Sequence, residues 1–441
     1  MKKIFVVFLV AAILAILPES GNSQSTYYPG FLEFNSIGGG ARAAGMGGAF
    51  LGLSQGEMAY SWNPAGMIFA EKPSIGIQFL SRADKFSDQH YTESDSFNLL
   101  NSYAVDVKRS RFNLSHGGFS VPFEFLGRSW SVGGGYRNIY DMKFEFEGPG
   151  LFNSTDKFTQ SNGIDAISLA FATPIITNVG LGITVNDYIR GSEANSYYGN
   201  SLLLYYSGNP YPDTVDIWIN DNAHYSGVNF DIGLMAKISM FSGSVVLHTP
   251  YELKQKSKIT ESFMVPPTPL GLVFRVTETT DFPLGYSIGL AANPMEKLTV
   301  AVDYDSKPLS EVEISQNWEM LDLTDTTFSP EWRDISQIRI GAEYLMNTNF
   351  AEIPLRIGFR NNPSVERETL ENTFFNITYG DQINTNIITF GTGLQFERAW
   401  MDLAYQFGSS SYNSTVNFGT EKIFEIQRDY SRLFISAGMF F

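Results

Sequence analysis

A period-two alternation of apolar and polar residues recurs from about residue 70 to the C-terminus and restricts the folds open to this chain. The last such segment places Leu433, Ile435 and Ala437 on one face and Arg432 and Ser436 on the other. Successive side chains of a β-strand point to opposite faces, so this pattern predicts strands. Fourteen segments are strand candidates: 72–81, 110–122, 128–143, 162–173, 178–190, 224–238, 243–253, 284–293, 297–306, 335–346, 352–361, 386–396, 398–409 and 429–441.

The connections between these segments alternate in length along the whole chain. Seven long connections, such as 191–223 and 307–334, alternate with six short ones, such as 239–242 and residue 397. Outer-membrane barrels have an even strand number, short periplasmic turns and longer external loops, whereas a soluble sandwich has no reason for this arrangement. We therefore predict an all-β fold, a transmembrane antiparallel β-barrel of about 14 strands over residues 71–441, with both termini in the periplasm.

Residues 1–23 have the organisation of a secretory signal peptide. Lys2 and Lys3 precede an apolar run that is too short for a usual membrane span, and the small residues Gly21 and Ser23 follow it. A signal anchor is the alternative. Export of a barrel predicts the outer membrane of a Gram-negative bacterium. The aromatic C-terminal residue Phe441 resembles the signal that the outer-membrane assembly machinery recognises in its substrates.

Composition excludes several other functions. Acidic residues outnumber basic ones 46 to 30, for a net charge of −16, which argues against the basic footprint of a nucleic-acid-binding protein. The chain has no Cys and only 4 His, so thiolate or histidine-rich metal sites are not expected. Serine-hydrolase, zinc-protease and P-loop motifs are absent from the sequence. We predict no enzymatic activity, no bound metal and no cofactor.

Residues 24–70 lack the alternating pattern. The run from Gly38 to Phe50 is too rich in glycine for a regular strand or helix, and a turn-like stretch from Trp62 to Met67 follows it. The segment is also too aromatic for a typical disordered tail. We predict a plug inside the barrel lumen, where polar wall residues can bond its backbone. A periplasmic extension is the alternative.

The runs GGGARA at 38–43, MGGAF at 46–50 and WNPAGM at 62–67 resemble the N-terminal hatch of FadL/TodX-type outer-membrane transporters. Further similarity lies in residues 332–344, 355–360, 388–393 and 401–405. The resemblance implies a fourteen-stranded barrel with an N-terminal hatch. The positions that match the hatch motif are Gly39, Arg42, Gly45, Gly47, Gly48, Asn63, Pro64, Ala65 and Gly66.

This resemblance implies passive uptake of hydrophobic compounds, such as long-chain fatty acids or hydrocarbons. In the family, the ligand passes from the external loops to an apolar pocket near the hatch and leaves sideways at a kink in the third strand. Gly133, Gly134 and Gly135 lie in the third candidate strand, where glycines weaken pairing and favour a kink. Alternatively, these glycines only relieve crowding on the lumen side. Membrane lipid and lipopolysaccharide would surround the barrel.

Two alternatives for function stay open. The Gly-rich run is equally similar to PorV-type proteins, which share the fold but serve type IX protein secretion. A general porin is the third interpretation, and a plug that fills the lumen argues against it.

Phe31, Leu32 and Phe34 precede the Gly-rich run and are candidates for an apolar ligand pocket, although they could equally form the plug's own core. Arg137, Arg339, Arg356 and Arg360 are candidate partners for a ligand carboxylate, because guanidinium groups bind carboxylates through two hydrogen bonds. Alternatively, such arginines pair with wall acids or hold the plug.

Overall fold

The structure is a computed structural model of the 441-residue chain. It describes residues 33–35, 37–91, 104–141, 144–149, 155–160, 163–189, 195–202, 214–265, 268–319, 326–372, 377–417 and 421–441. The predicted signal peptide at 1–23 and the candidate pocket residues Phe31 and Leu32 lie outside the described residues.

The described residues form strands over most of their length. In chain order the strands are β1 (Ser74–Tyr91), β2 (Ala104–Phe125), β3 (Arg128–Asp141), β4 (Phe144–Pro149), β5 (Thr155–Gln160), β6 (Gly163–Ile176), β7 (Val179–Ile189), β8 (Asn195–Leu202), β9 (Thr214–Ile238), β10 (Phe241–His248), β11 (Tyr251–Val265), β12 (Thr268–Phe282), β13 (Gly285–Met295), β14 (Leu298–Lys307), β15 (Glu313–Trp318), β16 (Thr326–Phe328), β17 (Ile335–Asn347), β18 (Glu352–Asn372), β19 (Ile377–Gln395), β20 (Ala399–Asn417) and β21 (Glu421–Phe440).

Fourteen of these strands form one closed antiparallel barrel, as predicted. Each barrel strand pairs with the next one along the chain, and the last, β21, pairs with the first, β1, from Ser74 opposite Phe440 to Tyr91 opposite Ile423. This pairing closes the sheet and removes its edges. The remaining strands, which extend the long connections beyond the barrel, are β4, β5, β8, β11, β12, β15 and β16.

Thirteen of the fourteen predicted strand segments each fall on one barrel strand, but their ends differ. Seven barrel strands run at least six residues further toward the long connections than predicted; β9 begins at Thr214 and β18 continues to Asn372. Backbone pairing continues there without an alternating sequence, because only the part of a strand in lipid requires one apolar face. The predicted segment 243–253 instead divides between β10 and β11 at Pro250, which has no N–H to donate to a ladder.

The two faces of the barrel wall have opposite polarity. Gln78 and Gln337 are 1% and 0% exposed, whereas their neighbours Ile77 and Ile338 are 44% and 48% exposed. The apolar side chains therefore point outward and the polar ones point into the lumen. A soluble sandwich has the reverse arrangement. An apolar outer face around a polar interior is the arrangement of an outer-membrane barrel.

Short helical turns are concentrated in residues 41–69. The α-helix α1 spans Ala41–Gly45, so the prediction that the run from Gly38 to Phe50 holds no regular helix is wrong for these five residues, which include three alanines. The 3₁₀ turns span Leu51–Leu53, Gly56–Ser61 and Pro64–Phe69, and a further one spans Leu309–Glu311. In the described ranges, no helical segment has the length and apolar character that a membrane crossing requires.

Candidate ligand site in the barrel lumen

Residues 37–70 bond to inward-facing side chains around the barrel. The Gly40 N–H donates to Gln78 Oε1 of β1 (2.6 Å), and the Gly47 N–H donates to Thr389 Oγ1 of β19 (2.9 Å). Across the lumen, Asp303 of β14 accepts from the Phe50 and Leu51 N–H groups at 2.6 and 2.9 Å. These contacts hold the segment, here called the plug, inside the lumen, where wall side chains satisfy its irregular backbone.

The Asn63-Pro64-Ala65-Gly66 motif fixes one side of the plug to the wall. Asn63 Oδ1 accepts from the Ala65 N–H (3.0 Å) and caps the 3₁₀ turn, while Asn63 Nδ2 donates to the Leu234 carbonyl (3.1 Å). This turn lies directly against glycines of β7 and β9. A Cβ at Gly180 would lie 2.7 Å from the Ala65 carbonyl oxygen. The motif therefore fits against the wall only because this wall residue has no side chain. The motif has an anchoring role in this structure.

Position 47 in the glycine-rich run requires a glycine for two structural reasons. Its φ of +70° is unfavourable for residues with a side chain. A Cβ there would also lie 2.8 Å from the backbone N and O of Phe359 in β18. The glycine thus serves both a left-handed turn and a close approach of the plug to the wall.

The side chain of Arg42 joins the plug to a buried charge network. Its guanidinium donates to both carboxylate oxygens of Glu343, at 2.7 and 3.0 Å. Glu343 also accepts from Arg356 (2.5 Å), which in turn donates to Asp402 (2.7 Å). Two cations and two anions alternate in this network, so the buried charges are balanced.

Glu33 anchors the start of the described plug. Its carboxylate accepts two hydrogen bonds from Arg432 of β21, at 2.9 and 2.7 Å, and Arg82 lies 3.7 Å away. Burial opposes the charge of Glu33, but the two arginines outweigh it and hold the pKa of this carboxyl well below its usual range. The ion pair fixes the backbone next to Phe34.

Phe34 lies at the centre of an aromatic cluster near the long-loop end of the lumen. Its ring centroid is 4.8 Å from Trp332, 5.4 Å from Tyr140 and 6.1 Å from Phe282. Beside this cluster is a cavity of about 140 Å³, whose apolar side includes Phe34, Tyr140, Tyr188, Tyr251 and Phe282. Plug residues Gly38, Leu51 and Trp62 also line it.

The opposite side of this cavity, here called the polar wall, consists of hydrogen-bonded side chains. His248 Nδ1 lies 2.7 Å from Asp231 Oδ1, and His248 Nε2 lies 3.0 Å from Ser287 Oγ. These spacings resemble those of a catalytic Ser-His-Asp triad. However, the Ser287 hydroxyl donates to Asp305, so its proton does not point at the imidazole. The chain from Asp231 to Asp305 therefore forms a hydrogen-bonding surface and lacks an activated nucleophile.

The four candidate carboxylate-binding arginines divide into two pairs. Arg137 and Arg339 line the cavity, where Arg137 lies 3.5 Å from Asp231 and Arg339 lies 3.2 Å from Asp305. Arg356 lies in the charge network with Arg42, and Arg360 donates to Gln406 at 3.0 Å. The last two are nearly fully buried in the wall and do not line this cavity.

The triplet Gly133, Gly134 and Gly135 does not interrupt the wall in this structure. All three residues pair with β2 on one side and β6 on the other, and the nearest register shift lies between Asn138 and Tyr140. The plug packs closely here, since a Cβ at Gly133 would lie 2.6 Å from Met67 Sδ. The Tyr60 hydroxyl also donates to the Tyr136 carbonyl at 2.8 Å. The triplet therefore accommodates the plug, and its role in a lateral exit stays a prediction.

A second cavity, of about 830 Å³, lies on the other side of the plug toward the short turns. Its lining includes Gly39, Gly40 and Met58, whereas Gly38 and Trp62 line the first cavity. Trp62 Nε1 donates to the Gly39 carbonyl (2.8 Å), which holds the indole against the glycines. The Gly38–Gly40 segment and Trp62 thus form a thin partition between the two cavities.

The sequence pattern did not reveal the polar wall or most of the aromatic cluster. Asp231, Ser287 and Asp305 each occupy a position on the polar face of its own strand, as lumen-facing residues do. The local sequence of each strand does not show that the three side chains meet. Local sequence does not indicate a serine partner for His248, because Ser287 lies 39 residues away along the chain. Only the barrel register places these groups together.

Comparison of the sequence with family models finds no match, and comparison with curated proteins finds none. Solved structures do match. A FadL homologue of Pseudomonas aeruginosa superposes with a TM-score of 0.65 at 13% identity, covering 93% of this chain and 99% of that one. The toluene transporter TodX of Pseudomonas putida gives 0.59 at 14% identity, with 92% and 99% covered. The toluene transporter TbuX of Ralstonia pickettii gives 0.53 at 14% identity, with 92% and 100% covered.

The closed barrel, its apolar outer face and the bonded plug define a plugged barrel of the outer-membrane type. Within that class, this chain has the fold of the FadL/TodX-type transporters, which confirms the fold that the sequence resemblance implied.

Proposed function

We propose that this protein is an outer-membrane transporter for the passive uptake of hydrophobic compounds, such as hydrocarbons or fatty acids. The observation that carries the proposal is the cavity beside Phe34, which lies in the lumen and is lined on one side by aromatic rings. Apolar surface removed from water drives ligands into such sites, while a few polar groups orient them. The solved structures of similar fold include two proteins named as toluene transporters.

The plug acts as a hatch in this proposal. A ligand entering from the long-loop end reaches the cavity beside Phe34 and meets the partition formed by Gly38–Gly40 and Trp62. Displacing this thin segment would connect the cavity with the larger one toward the short turns. The short-turn end, where Ser74 pairs with Phe440, would face the periplasm.

A lateral exit through β3 is the alternative route in the proposal. Val121 of β2 faces Val132 of β3, and both lie next to the glycine triplet. Because the chain has no Cys, a disulfide between V121C and V132C would lock this pair of strands specifically. Slower uptake in the oxidised form, restored by reductant, would support the lateral route. Equal uptake in both forms would favour passage through the partition formed by Gly38–Gly40 and Trp62.

The first experiment is extraction of the detergent-purified protein and identification of bound compounds by mass spectrometry, with an unrelated barrel as control. We expect enrichment of a hydrophobic compound and its loss in Phe34→Asp, which puts a carboxylate among the aromatic rings. Leu126→Asp is the matched control, because Leu126 is 86% exposed at a short turn. No enriched compound, together with a co-purifying exported protein, would contradict the proposal and favour a PorV-type role in secretion.

A further inference from the structure

The cavity beside Phe34 has an aromatic wall and a polar wall, and this combination limits the compounds that it can bind. We propose that its ligand is a small aromatic compound that carries an acceptor oxygen, as a hydroxyl or a carboxylate, on or next to its ring. This inference rests on the proposed transport function. It narrows the ligand from hydrophobic compounds in general to one size and one kind of polar group.

The volume of the cavity limits the size of the ligand that fits inside it. At about 140 Å³ it is comparable to a protein cavity of about 150 Å³ that binds benzene. A long acyl chain would need the plug or the wall to move before it could enter completely. A single substituted ring fits the cavity as the structure shows it.

The apolar wall favours an aromatic body. Tyr251 stacks on Phe282 with ring centroids 4.8 Å apart, and Tyr188 lies 5.2 Å from Tyr251. Aromatic side chains add offset-stacked or edge-on contacts to the burial of a ligand ring. A flexible aliphatic body would gain only the burial.

The polar wall requires an oxygen. Arg137 lines the cavity, and its Nε is buried without a hydrogen-bond partner among the described residues. A guanidinium only donates hydrogen bonds, so an acceptor on the ligand is the complementary group. Lys307 also lines the cavity, but its ammonium already donates to the Phe34 carbonyl at 2.7 Å. A bare hydrocarbon would place carbon against the Arg137 guanidinium and offer its Nε no acceptor, which costs affinity.

The test compares four compounds on the purified protein: toluene, benzyl alcohol, benzoate and hexadecanoate. Binding is measured by calorimetry on the wild-type protein, so the ranking does not depend on any variant. We expect benzyl alcohol or benzoate to bind more tightly than toluene and hexadecanoate. The difference between the two oxygenated compounds shows whether the wall prefers a neutral or an anionic oxygen.

Arg137→Met then removes the donors and keeps an apolar stem. We expect it to weaken binding of the preferred oxygenated compound by about ten-fold or more, the loss of one charge-assisted hydrogen bond, and to leave toluene unchanged. Arg398→Met, at an exposed short turn, is the matched control. Toluene or hexadecanoate binding most tightly to the wild type would overturn the inference but leave the proposed function standing. Binding of none of the four compounds would count against both.

Discussion

Arg42 of the plug and Glu343 of β17 form a two-point ion pair, with Nε–Oε2 at 3.0 Å and Nη2–Oε1 at 2.7 Å. Glu343 is 1% exposed at its side chain and also neutralises Arg356, whose side chain is 0% exposed. One wall carboxylate thus holds a plug cation and a wall cation together. Because removing one member of a buried pair leaves an uncompensated charge, this contact is where the plug should be easiest to loosen.

Glu343→Gln is expected to destabilise the plug strongly, because Arg42 and Arg356 would then share only Asp402. The cost of leaving such charges unpaired is about 3–5 kcal/mol. Hydrogen exchange of residues 37–70 measures the effect locally, and Glu352→Gln, at an exposed position near a short turn, is the control. Equal exchange in both variants would show that the ion pair does not hold the plug.

Gly47→Ala and Gly127→Ala separate backbone strain from close packing. Both glycines have left-handed φ angles, +70° and +69°. A Cβ at Gly47 would lie 2.8 Å from the Phe359 backbone, whereas one at Gly127 would have no heavy atom within 4 Å. We expect Gly127→Ala to cost about 1–2 kcal/mol, from strain alone, and Gly47→Ala clearly more. Thermal unfolding in detergent compares them, and equal losses would contradict the close approach of plug and wall.

Glu57 in the plug should make plug stability depend on pH. Burial raises the pKa of its carboxyl, and the positive charge of Arg42 only partly opposes this. A raised pKa means that the folded plug binds the proton more tightly than the unfolded chain does. The contribution is therefore complete below the ordinary value of about 4.3 and is lost as the pH rises through the folded pKa.

We accordingly expect higher exchange protection of the plug at pH 5 than at pH 8, and a smaller difference in Glu57→Gln. The pKa of Glu33 is shifted in the opposite direction, well below the usual range, so its contribution to stability falls with decreasing pH and is lost only at strongly acidic pH. A Glu57→Gln plug with an unchanged pH dependence would show that another group is responsible.

Trp62→Ala should make the barrel leaky to small polar solutes. The indole lies on Gly38 and is held by the Gly39 carbonyl, so its removal opens the partition between the two cavities. Conductance in planar bilayers is the measurement, with Trp130→Ala as control, because Ser131 points inward and Trp130 therefore points outward. High conductance of the wild-type protein would instead favour the porin interpretation.

The barrel could be predicted from local sequence alone. Alternation over segments such as 335–346 predicted strands correctly, because a wall with lipid on one side and polar groups on the other must repeat every two residues. The alternation of long and short connections distinguished an outer-membrane barrel from a soluble β fold. Strand ends beyond the lipid, as in β9 and β18, were not predictable, since no apolar face is required there.

The contents of the lumen, in contrast, depend on how distant strands come together in the closed barrel. The same alternation that marks Arg137, Arg339, Arg356 and Arg360 as inward-facing does not say which ones reach a cavity. The register around the closed barrel places Arg137 beside Asp231, which also contacts His248. It places Arg356 against Glu343, the carboxylate that binds Arg42 of the plug. Local sequence carries the period of a strand, whereas the meeting of side chains from distant strands depends on pairing and closure of the whole sheet.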